Sequence, residues 1–334
     1  MILNNEEFGF GIIGVGSCLP EKVLSNFDLE KMVETTDEWI TQRTGISERR
    51  ILDKGEPTYT LGVKAAQNAI KDAGISAEDL DLIIVATAAP DYCTPSTSCI
   101  IQGEIGATKA AAFDLNAACA GFVYGITVAQ QFFKSGYYKN ILVVGIEGMS
   151  KVTDWEDRNT CVLFGDGAGA VVLGPVDKGF GILSTNIGAE GSSWKTITIP
   201  SLHISEEDME KRIHENKRVI WMDGSEVFKF AVRVMVQSTE KVLDEAGLTL
   251  NDVKLIVPHQ ANIRIIDGAA KRLKVLAEKV FANVHKYGNI SAASIPVALD
   301  EVVQSGVLKK GDNLVFVGFG GGLTWASTAI KWAK

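Results

Sequence analysis

The sequence predicts a layered α/β protein built from two similar halves, and three observations support this fold class. The segment DAGISAEDLDLIIV from Asp72 resembles EAGLTLNDVKLIVP from Glu245, at an offset of 245 − 72 = 173 residues. KNILVVG contains Asn140 where GDNLVFVG contains Asn313, and 313 − 140 is again 173. Apolar strand-like segments alternate with helical segments in both copies. Two matches in one register indicate an internal duplication.

Each copy contains the same elements in the same order. An amphipathic helix (KAAQNAIKDAG or STEKVLDEAG) ends at a glycine suited to a C-cap. An apolar strand follows (LIIVATA or LIVPH), then a second helix that closes at KSG or QSG, and then a second apolar strand. Strands that are apolar on both faces are typical of a sheet covered by helices on both sides. We therefore predict an N-terminal half, residues 1–176, and a C-terminal half, residues 177–334, related by a pseudo-twofold axis.

The composition is that of an ordinary globular protein. The chain has 334 residues, of which 46% are hydrophobic and 22% are charged. Its five cysteines form no CxxC pair, so neither a disulfide framework nor a zinc site is indicated, and we expect the reducing cytoplasm. MILNNEEFGF lacks the positive start of a signal peptide. The net charge of −8 argues against general nucleic-acid binding.

Two further segments have their own interpretation. The longest apolar stretch, residues 113–133, is interrupted by polar residues such as Asp114 and Asn116, which favours a buried central helix over a membrane span. Residues 189–220 contain SEEDMEKRIHENKR. We expect a solvated helix or excursion there and assign it no chemistry.

Cys119 lies among small residues in FDLNAACAGFVYG, between a strand-like and a helix-like segment. At a helix N-terminus, unpaired backbone N–H groups and the helix dipole stabilise a thiolate, so we expect a lowered pKa for Cys119. The neighbouring alanines and Gly121 leave room for a substrate carbonyl. The alternative is a buried structural cysteine, and the local residues alone leave both interpretations open.

One of the four histidines lies where a partner for a nucleophilic cysteine is expected. His203 and His214 fall in the charged segment, and His285 could be a loop residue. His259 ends the second-half strand LIVPH, which matches LIIVATA in the first half. Ligands of α/β sheets gather at the carboxyl ends of strands, so His259 is the favoured partner.

The duplication brings Asn289 towards Cys119. Adding the offset of 173 to 119 gives 292, which lies in ISAAS, directly after Asn289 in YGNISAAS. The segment ISAAS is therefore the counterpart of the cysteine turn. We expect Cys119 and Asn289 to approach the pseudo-twofold axis, one from each half.

A glycine-rich segment, GFGGGLTWAS at residues 318–327, follows the last apolar strand of the second half. Consecutive glycines allow backbone N–H groups to approach a ligand oxygen, as an oxyanion hole requires. A tight turn is the structural alternative. Neither a downstream acidic residue nor a βα context indicates a dinucleotide site.

Taken together, AACAGF, PHQAN, YGNISAAS and GFGGGLTW resemble β-ketoacyl-acyl carrier protein synthase III, a family of the thiolase superfamily. The resemblance extends through TTDEWITQRTGISERR, PSTSCIIQ and FGDGAGAVVL and covers nearly the whole chain. It implies a thiolase-like fold with a duplicated five-layered αβαβα architecture. It also implies a catalytic triad of Cys119, His259 and Asn289, and an oxyanion hole formed by the backbone N–H groups of Cys119 and Gly321.

The resemblance implies a condensing acyltransferase that initiates fatty acid biosynthesis. Cys119 would accept an acyl group from acyl-CoA, and malonyl-acyl carrier protein would then lose carbon dioxide and attack the acyl-cysteine to give a 3-oxoacyl product. No metal or redox cofactor is implied. The CoA-binding positions of the family fall on Trp39, Arg43, Arg158, Gly224, Phe228 and Asn262. For Trp39 and Arg43, a buried tryptophan beside a salt-bridged arginine is the structural alternative.

The helix after PHQAN carries Arg264, Lys271, Arg272 and Lys274, which in the family would dock the acidic carrier protein. A solvated helix face is the usual meaning of such residues. The family also implies a homodimer. A bulky aromatic that reaches into the partner's pocket is replaced here by Thr94 in DYCTPST, and we expect longer or branched primers to be accepted alongside acetyl-CoA.

Several alternatives use similar residues. Papain-like cysteine hydrolases order Cys, His and Asn in the same way, but AACAGF lacks their local signature. A thiolase proper would need a second catalytic cysteine late in the chain, and Cys161 is the last. A hydroxymethylglutaryl-CoA synthase would need a glutamate acting with the triad, for which no site is evident. Acyl-CoA-using synthases of secondary metabolism keep the same triad and stay open. A non-catalytic partner subunit would most simply have lost the cysteine.

Overall fold

The computed structural model describes residues 7–201 and 218–334. His203, His214 and half of the charged segment 189–220, residues 202–217, lie outside these residues. The strands are β1 (Gly9–Cys18), β2 (Val23–Ser25), β3 (Glu48–Arg50), β4 (Leu82–Ala86), β5 (Ala111–Leu115), β6 (Ile141–Gly148), β7 (Asp166–Val176), β8 (Gly181–Ala189), β9 (Ile197–Thr198), β10 (Trp221–Met222), β11 (Val253–Pro258), β12 (Asn313–Gly320) and β13 (Thr324–Lys331).

The helices alternate with these strands along the chain. They are α1 (Asn26–Leu29), α2 (Asp37–Thr44), α3 (Tyr59–Ala73), α4 (Thr97–Ile105), α5 (Gly121–Lys134), α6 (Arg158–Cys161), α7 (Gly224–Glu245), α8 (Ile263–Leu273), α9 (Val284–Tyr287) and α10 (Ser294–Gln304). Both amphipathic repeat helices form as predicted. Helix α3 ends at Gly74, whose φ of 68° is the left-handed conformation expected of a glycine C-cap.

Two large sheets repeat one topology. The first has the order β1-β7-β6-β4-β5, and the second has the order β8-β13-β12-β11. In each sheet the first three strands pair antiparallel and the next pair is parallel. Where β5 pairs with β4 in the first sheet, the second sheet has a single parallel bridge between Ile256 and Val280. The internal repeat therefore corresponds to a repeat in three dimensions.

The helices and the two large sheets form five layers, with the hydrophobic core between them. The central cluster joins α5 and α10 to facing strands of both sheets, through side chains such as Phe122, Leu299, Ile84 and Phe316. A second cluster packs α3 and α4 on the outer face of the first sheet, and a third packs α7 and α8 on the outer face of the second. The order helix, sheet, helix, sheet, helix is the predicted αβαβα arrangement.

The apolar stretch 113–133 supplies β5 and then the central helix α5, as expected for a buried helix between sheets. The high apolar content of this stretch follows from contact with sheets on both sides. Within residues 7–201 and 218–334, no helix is both long and apolar enough to cross a membrane.

The two central helices begin at matching turns. Ala118 and Ser291 are separated by 291 − 118 = 173 residues, and both have a φ of 46°. Each begins a short 3-10 turn, Ala118–Ala120 or Ser291–Ala293, that leads into α5 or α10. The two turns pack against each other. The duplication therefore places the turn with Cys119 beside its own counterpart, next to Asn289.

Candidate active site

A cavity of about 580 Å³ brings together Cys119, His259, Asn289 and Gly321. The three side chains come from the ends of different elements. Cys119 follows β5, His259 follows β11, and Asn289 follows α9. The structure therefore assembles the predicted triad and the predicted oxyanion-hole glycine around one space.

The turn that holds Cys119 depends on a close backbone approach. Asn116 Oδ1 accepts a hydrogen bond of 3.0 Å from the backbone N–H of Ala118, which helps to hold the turn. Gly320 lies directly against it, and a Cβ atom at this position would be only 2.5 Å from the backbone nitrogen of Cys119. Glycine at 320 therefore leaves free the space beside the N–H group of Cys119, where an oxyanion hole needs it.

The expected lowering of the Cys119 pKa is wrong. Burial raises the pKa of Cys119 to about 12, and the nearby Glu147 carboxylate raises it as well. Hydrogen bonds from the Ser291 side chain and from the backbone act in the opposite direction. The loss of solvation outweighs the helix N-terminus because a thiolate is poorly stabilised away from water. The resting group is a thiol, and its proton has to leave when the sulfur attacks.

His259 is a neutral imidazole in this site. Burial lowers the pKa of His259 to about 3. The ring packs edge-on against Phe319, with ring centroids 5.3 Å apart, and Nδ1 has no hydrogen-bond partner within the described residues. A neutral imidazole still carries one N–H group. It can donate a hydrogen bond to a developing oxyanion without first taking up a proton.

The orientation of Asn289 follows from its neighbours. The backbone N–H of Ser291 donates a 2.9 Å hydrogen bond to Oδ1 of Asn289. The backbone N–H of Asn289 donates to the carbonyl of Leu163 at 2.8 Å. Because Oδ1 is engaged as an acceptor, the amide Nδ2 is the group left to donate a hydrogen bond.

Sequence reasoning missed a buried carboxylate beside the triad. Glu147 is fully buried near the end of β6 and is hydrogen-bonded to the hydroxyl of Ser291. A signal was present, because Glu147 is the only charged residue in the otherwise apolar segment ILVVGIEG. A buried, unpaired acid is costly and points to a specific role.

Trp39 and Arg43 lie at the mouth of the cavity, on α2. The guanidinium carbons of Arg43 and Arg158 lie 4.8 Å and 5.1 Å from the centroid of the Trp39 ring. Arg158 also donates a 2.9 Å hydrogen bond to the carbonyl of Glu34. An indole with two cationic neighbours is suited to bind a ligand that is both aromatic and anionic.

Gly224, Phe228 and Asn262 line the same cavity. Gly224 begins α7, and the ring of Phe228 lies 5.8 Å from the guanidinium carbon of Arg264. The amide of Asn262 already has two partners. It caps α8 by accepting from the N–H of Arg264 at 2.8 Å and donates to the carbonyl of Arg43 at 3.0 Å. This capping role is a structural reason for asparagine at 262.

The remaining predicted positions lie outside the triad. Arg264, Lys271, Arg272 and Lys274 are exposed on or directly after α8, and Arg264 also lines the cavity mouth. Thr94 is exposed and does not line the cavity.

Comparisons with known proteins point to one family. The model of 3-oxoacyl-[acyl-carrier-protein] synthase III matches residues 113–191, and the model of its C-terminal part matches residues 243–332. The chain is 54% identical over 333 residues to β-ketoacyl-[acyl-carrier-protein] synthase III of Caldanaerobacter subterraneus subsp. tengcongensis, covering 98% of this chain and 99% of that protein.

Solved structures give the same result. The synthase III of Aquifex aeolicus VF5 superposes with a TM-score of 0.90 at 47% identity, covering 97% of this chain and 100% of that one. The priming β-ketosynthase of the R1128 polyketide pathway superposes with a TM-score of 0.91 at 37% identity, covering 98% and 97%. These matches confirm the thiolase-like fold, and with them the chain belongs to the β-ketoacyl-[acyl-carrier-protein] synthase III family of condensing acyltransferases.

Proposed function

We propose that this enzyme joins an acyl-CoA primer to malonyl-acyl carrier protein, giving 3-oxoacyl-acyl carrier protein, CoA and carbon dioxide, and so initiates fatty acid biosynthesis. One observation carries the proposal. A half-buried thiol, a neutral imidazole and an amide with a free donor line one cavity, which Trp39 and Arg43 also line, and Arg158 lies against the Trp39 ring. Each half of the reaction uses part of this arrangement.

In the first half-reaction, the sulfur of Cys119 attacks the thioester carbonyl carbon of the primer. The negative charge that develops on the carbonyl oxygen is stabilised by the backbone N–H groups of Cys119 and Gly321. The bond to the CoA sulfur then breaks, and an acyl-cysteine remains. The role of Gly320 is to keep a side chain out of this space.

In the second half-reaction, the C–C bond to the malonyl carboxylate breaks and carbon dioxide leaves. The electron pair moves onto the thioester as an enolate, whose oxygen accepts hydrogen bonds from His259 and from Nδ2 of Asn289. The enolate carbon attacks the acyl-cysteine, and the C–S bond to Cys119 breaks. Neutral donors suit this step, because they stabilise charge only as it develops.

The test is identification of the product. The enzyme is incubated with an acyl-CoA and malonyl-acyl carrier protein, and intact carrier mass and free CoA are measured. We expect a 3-oxoacyl group on the carrier and one CoA per product. A hydrolysed primer without a condensed product would contradict the proposal. A product formed with a polyketide carrier, and not with a fatty acid carrier, would favour a role in secondary metabolism, like that of the R1128 priming β-ketosynthase.

We propose that α8 docks the acidic carrier protein through Arg264, Lys271 and Arg272, which are exposed on this helix, with Arg264 lining the cavity. The double variant Lys271→Glu/Arg272→Glu is expected to lower kcat/KM for malonyl-carrier by about tenfold, because the local positive field that speeds association is reversed. Acylation of Cys119 by acyl-CoA, followed separately by mass, should change little.

The matched control is Lys64→Glu/Lys71→Glu, which makes the same charge change at exposed positions of α3, on the outer face of the first sheet. It is expected to leave kcat/KM unchanged. Equal effects of the two double variants would mean that net charge, and not α8, determines carrier binding.

We propose a homodimer formed along β5. This strand is the free edge of the first sheet and is only partly buried, whereas the neighbouring β4 is buried throughout. An uncovered edge strand presents unpaired N–H and C=O groups that suit pairing with a second copy. Sedimentation at micromolar concentration is expected to give twice the mass of the chain, and a monomer would contradict this assembly.

We further propose that in such a dimer the exposed Thr94, whose neighbour Cys93 shares a pocket with β5, reaches the partner's cavity, where its small size leaves volume for the primer. Thr94→Phe is expected to lower kcat/KM for branched four- and five-carbon acyl-CoAs about tenfold more than for acetyl-CoA, because a large side chain fills the space. Cys93→Phe adds similar bulk at the adjacent exposed position and is the control. A uniform loss for all primers would contradict a pocket role of Thr94.

Two further proposals concern the boundary between the two halves and the location of the protein in the cell. The boundary between the halves at residues 176 and 177 is supported by the sheets, since β1, β4, β5, β6 and β7 precede it and β8, β11, β12 and β13 follow it. A cytoplasmic location is supported by five free cysteines, of which Cys93 and Cys99 are exposed, because a reducing compartment keeps such thiols unpaired.

A further inference from the structure

Glu147 is held by hydrogen-bond donors alone. Its Oε1 accepts from the hydroxyl of Ser291 at 2.9 Å and from the N–H of Ala88 at 3.0 Å. Its Oε2 accepts from the N–H of Ala89 at 3.2 Å and from the hydroxyl of Thr87 at 3.4 Å. The two backbone donors are fixed, whereas a hydroxyl can rotate and accept instead. The site therefore fits a carboxylate and can also accommodate its protonated form.

The duplication shows what is unusual about this acid. Adding 173 to 147 gives 320, so Glu147 stands where Gly320 stands in the other half, and Ala292 is the counterpart of Cys119. Gly320 leaves free the space beside the N–H of Cys119. In the other copy, the Glu147 carboxylate accepts a hydrogen bond from Ser291, the residue directly before Ala292. The second copy of the anion site is thus filled by the protein's own carboxylate.

Ser291 connects this carboxylate to the nucleophile. It is 2% exposed, its hydroxyl hydrogen-bonds Glu147, and it lines the cavity together with Cys119, whose turn packs against its own. A hydroxyl that donates its hydrogen to Oε1 keeps lone pairs that can accept the S–H hydrogen of Cys119. This placement allows a proton to pass from the thiol to the serine and from the serine to the carboxylate.

We propose that Glu147 takes up the proton of Cys119 through Ser291 when the acyl-enzyme forms and holds it until the product is released, an inference that rests on the proposed function. The S–H bond breaks as a new O–H bond forms on Ser291, whose original hydrogen passes to Oε1 of Glu147. CoA leaves as a thiolate and takes one proton from solvent. After condensation, the Cys119 thiolate recovers its hydrogen by the reverse transfer.

The charges in the site favour this route over transfer to His259. Burial raises the pKa of Glu147 to about 7 and lowers that of His259 to about 3, so Glu147 is the stronger base. A neutral Glu147 also removes a like charge before the malonyl carboxylate enters. The other acid nearby is Asp166 on the adjacent β7, whose carboxylate accepts hydrogen bonds from Ser150 and Leu52.

The test counts protons during acylation. Wild type and variants are mixed with an acyl-CoA at pH 8, without malonyl-carrier, in weak buffer with a pH indicator, and the acyl group is measured by mass on the same samples. The acyl chain displaces water from the cavity and is expected to raise the pKa of Glu147 above the pH of the experiment, so wild type should take up about one proton more per acylated site than Glu147→Gln or Ser291→Ala. Thr87→Val also removes a hydroxyl donor to Glu147 but leaves the link to Cys119, so its uptake should match wild type.

Equal uptake in wild type and Glu147→Gln would overturn the inference. If that variant does not fold, the infrared difference spectrum of wild type on acylation decides the question. A carboxylic acid C=O band that shifts in D₂O is expected, and its absence would contradict proton storage. The mass separates the two proposals, because unacylated wild type would refute the proposed function and the inference resting on it, whereas acylation without proton uptake would refute the inference alone.

Discussion

Cys119→Ala is expected to abolish acyl transfer, with no acylated enzyme detected and condensation lowered by about a thousandfold or more, since no other group in the cavity can form the thioester. His259 and Asn289 would still stabilise the enolate, so slow decarboxylation of malonyl-carrier without condensation should remain. Intact-protein mass after mixing with a panel of acyl-CoAs measures the first effect. Release of carbon dioxide measures the second.

A matched control separates the nucleophile from the other thiols. Cys99 is exposed and does not line the cavity. The variant Cys99→Ala is therefore expected to be acylated like wild type. If Cys119→Ala gains an acyl group at a site that peptide mapping places in the cavity, Cys119 is not the nucleophile. Acylation that maps to the exposed cysteines would instead be surface chemistry.

The fold could be predicted from the sequence because two pairs of segments match at the same offset of 173 residues. The repeat around Asn140 and Asn313 places equivalent strands, and the same offset relates Ala118 to Ser291, whose turns share a φ of 46°. Once two apolar strands and their helices recur in one order, the covering of each sheet on both faces follows from the need to bury them. The triad positions follow in turn, because strand ends and helix starts meet at the pseudo-twofold axis.

The sequence could not predict how strongly the site is shielded from water, which determines the pKa of Cys119. A helix N-terminus predicts a lowered pKa for Cys119, yet the structure surrounds the thiol with apolar groups and a buried carboxylate, and the pKa rises to about 12. Residues from both halves also act on this pKa, since Glu147 raises it and Ser291 lowers it, and these two are 144 positions apart in the chain. The local sequence pattern predicts helix α5, but it does not predict which residues pack against the N-terminus of this helix.

The same limit applies to groups with two possible roles. Asn262 matches a position of the CoA channel, and only the structure shows that its amide caps α8 and holds the backbone of Arg43. Glu147 lies in an apolar strand where a charged residue signals a special environment, but its partners are backbone donors that no sequence pattern reveals. Orientation, rather than residue type, decides these cases.

Asn289 gives the second large effect, on a different half-reaction. Asn289→Ala removes the Nδ2 donor and is expected to lower decarboxylation and condensation by about 10²- to 10³-fold, the usual cost of one oxyanion donor. Acylation of Cys119 should persist, because the primer carbonyl uses the backbone N–H groups of Cys119 and Gly321. The variant is therefore expected to accumulate acyl-enzyme, which mass measurement detects.

Asn289→Asp tests whether donation, and not shape, is what the amide provides. The aspartate can keep the hydrogen bond from the N–H of Ser291, but when ionised it has no hydrogen to donate to the enolate oxygen. Protonation restores a donor, so decarboxylation by this variant should recover as the pH falls, whereas that of Asn289→Ala should not. Parallel pH profiles for the two variants would mean that Asn289 acts by holding the turn at Ser291, and the hydrogen bond to the enolate would then have to come from His259 alone.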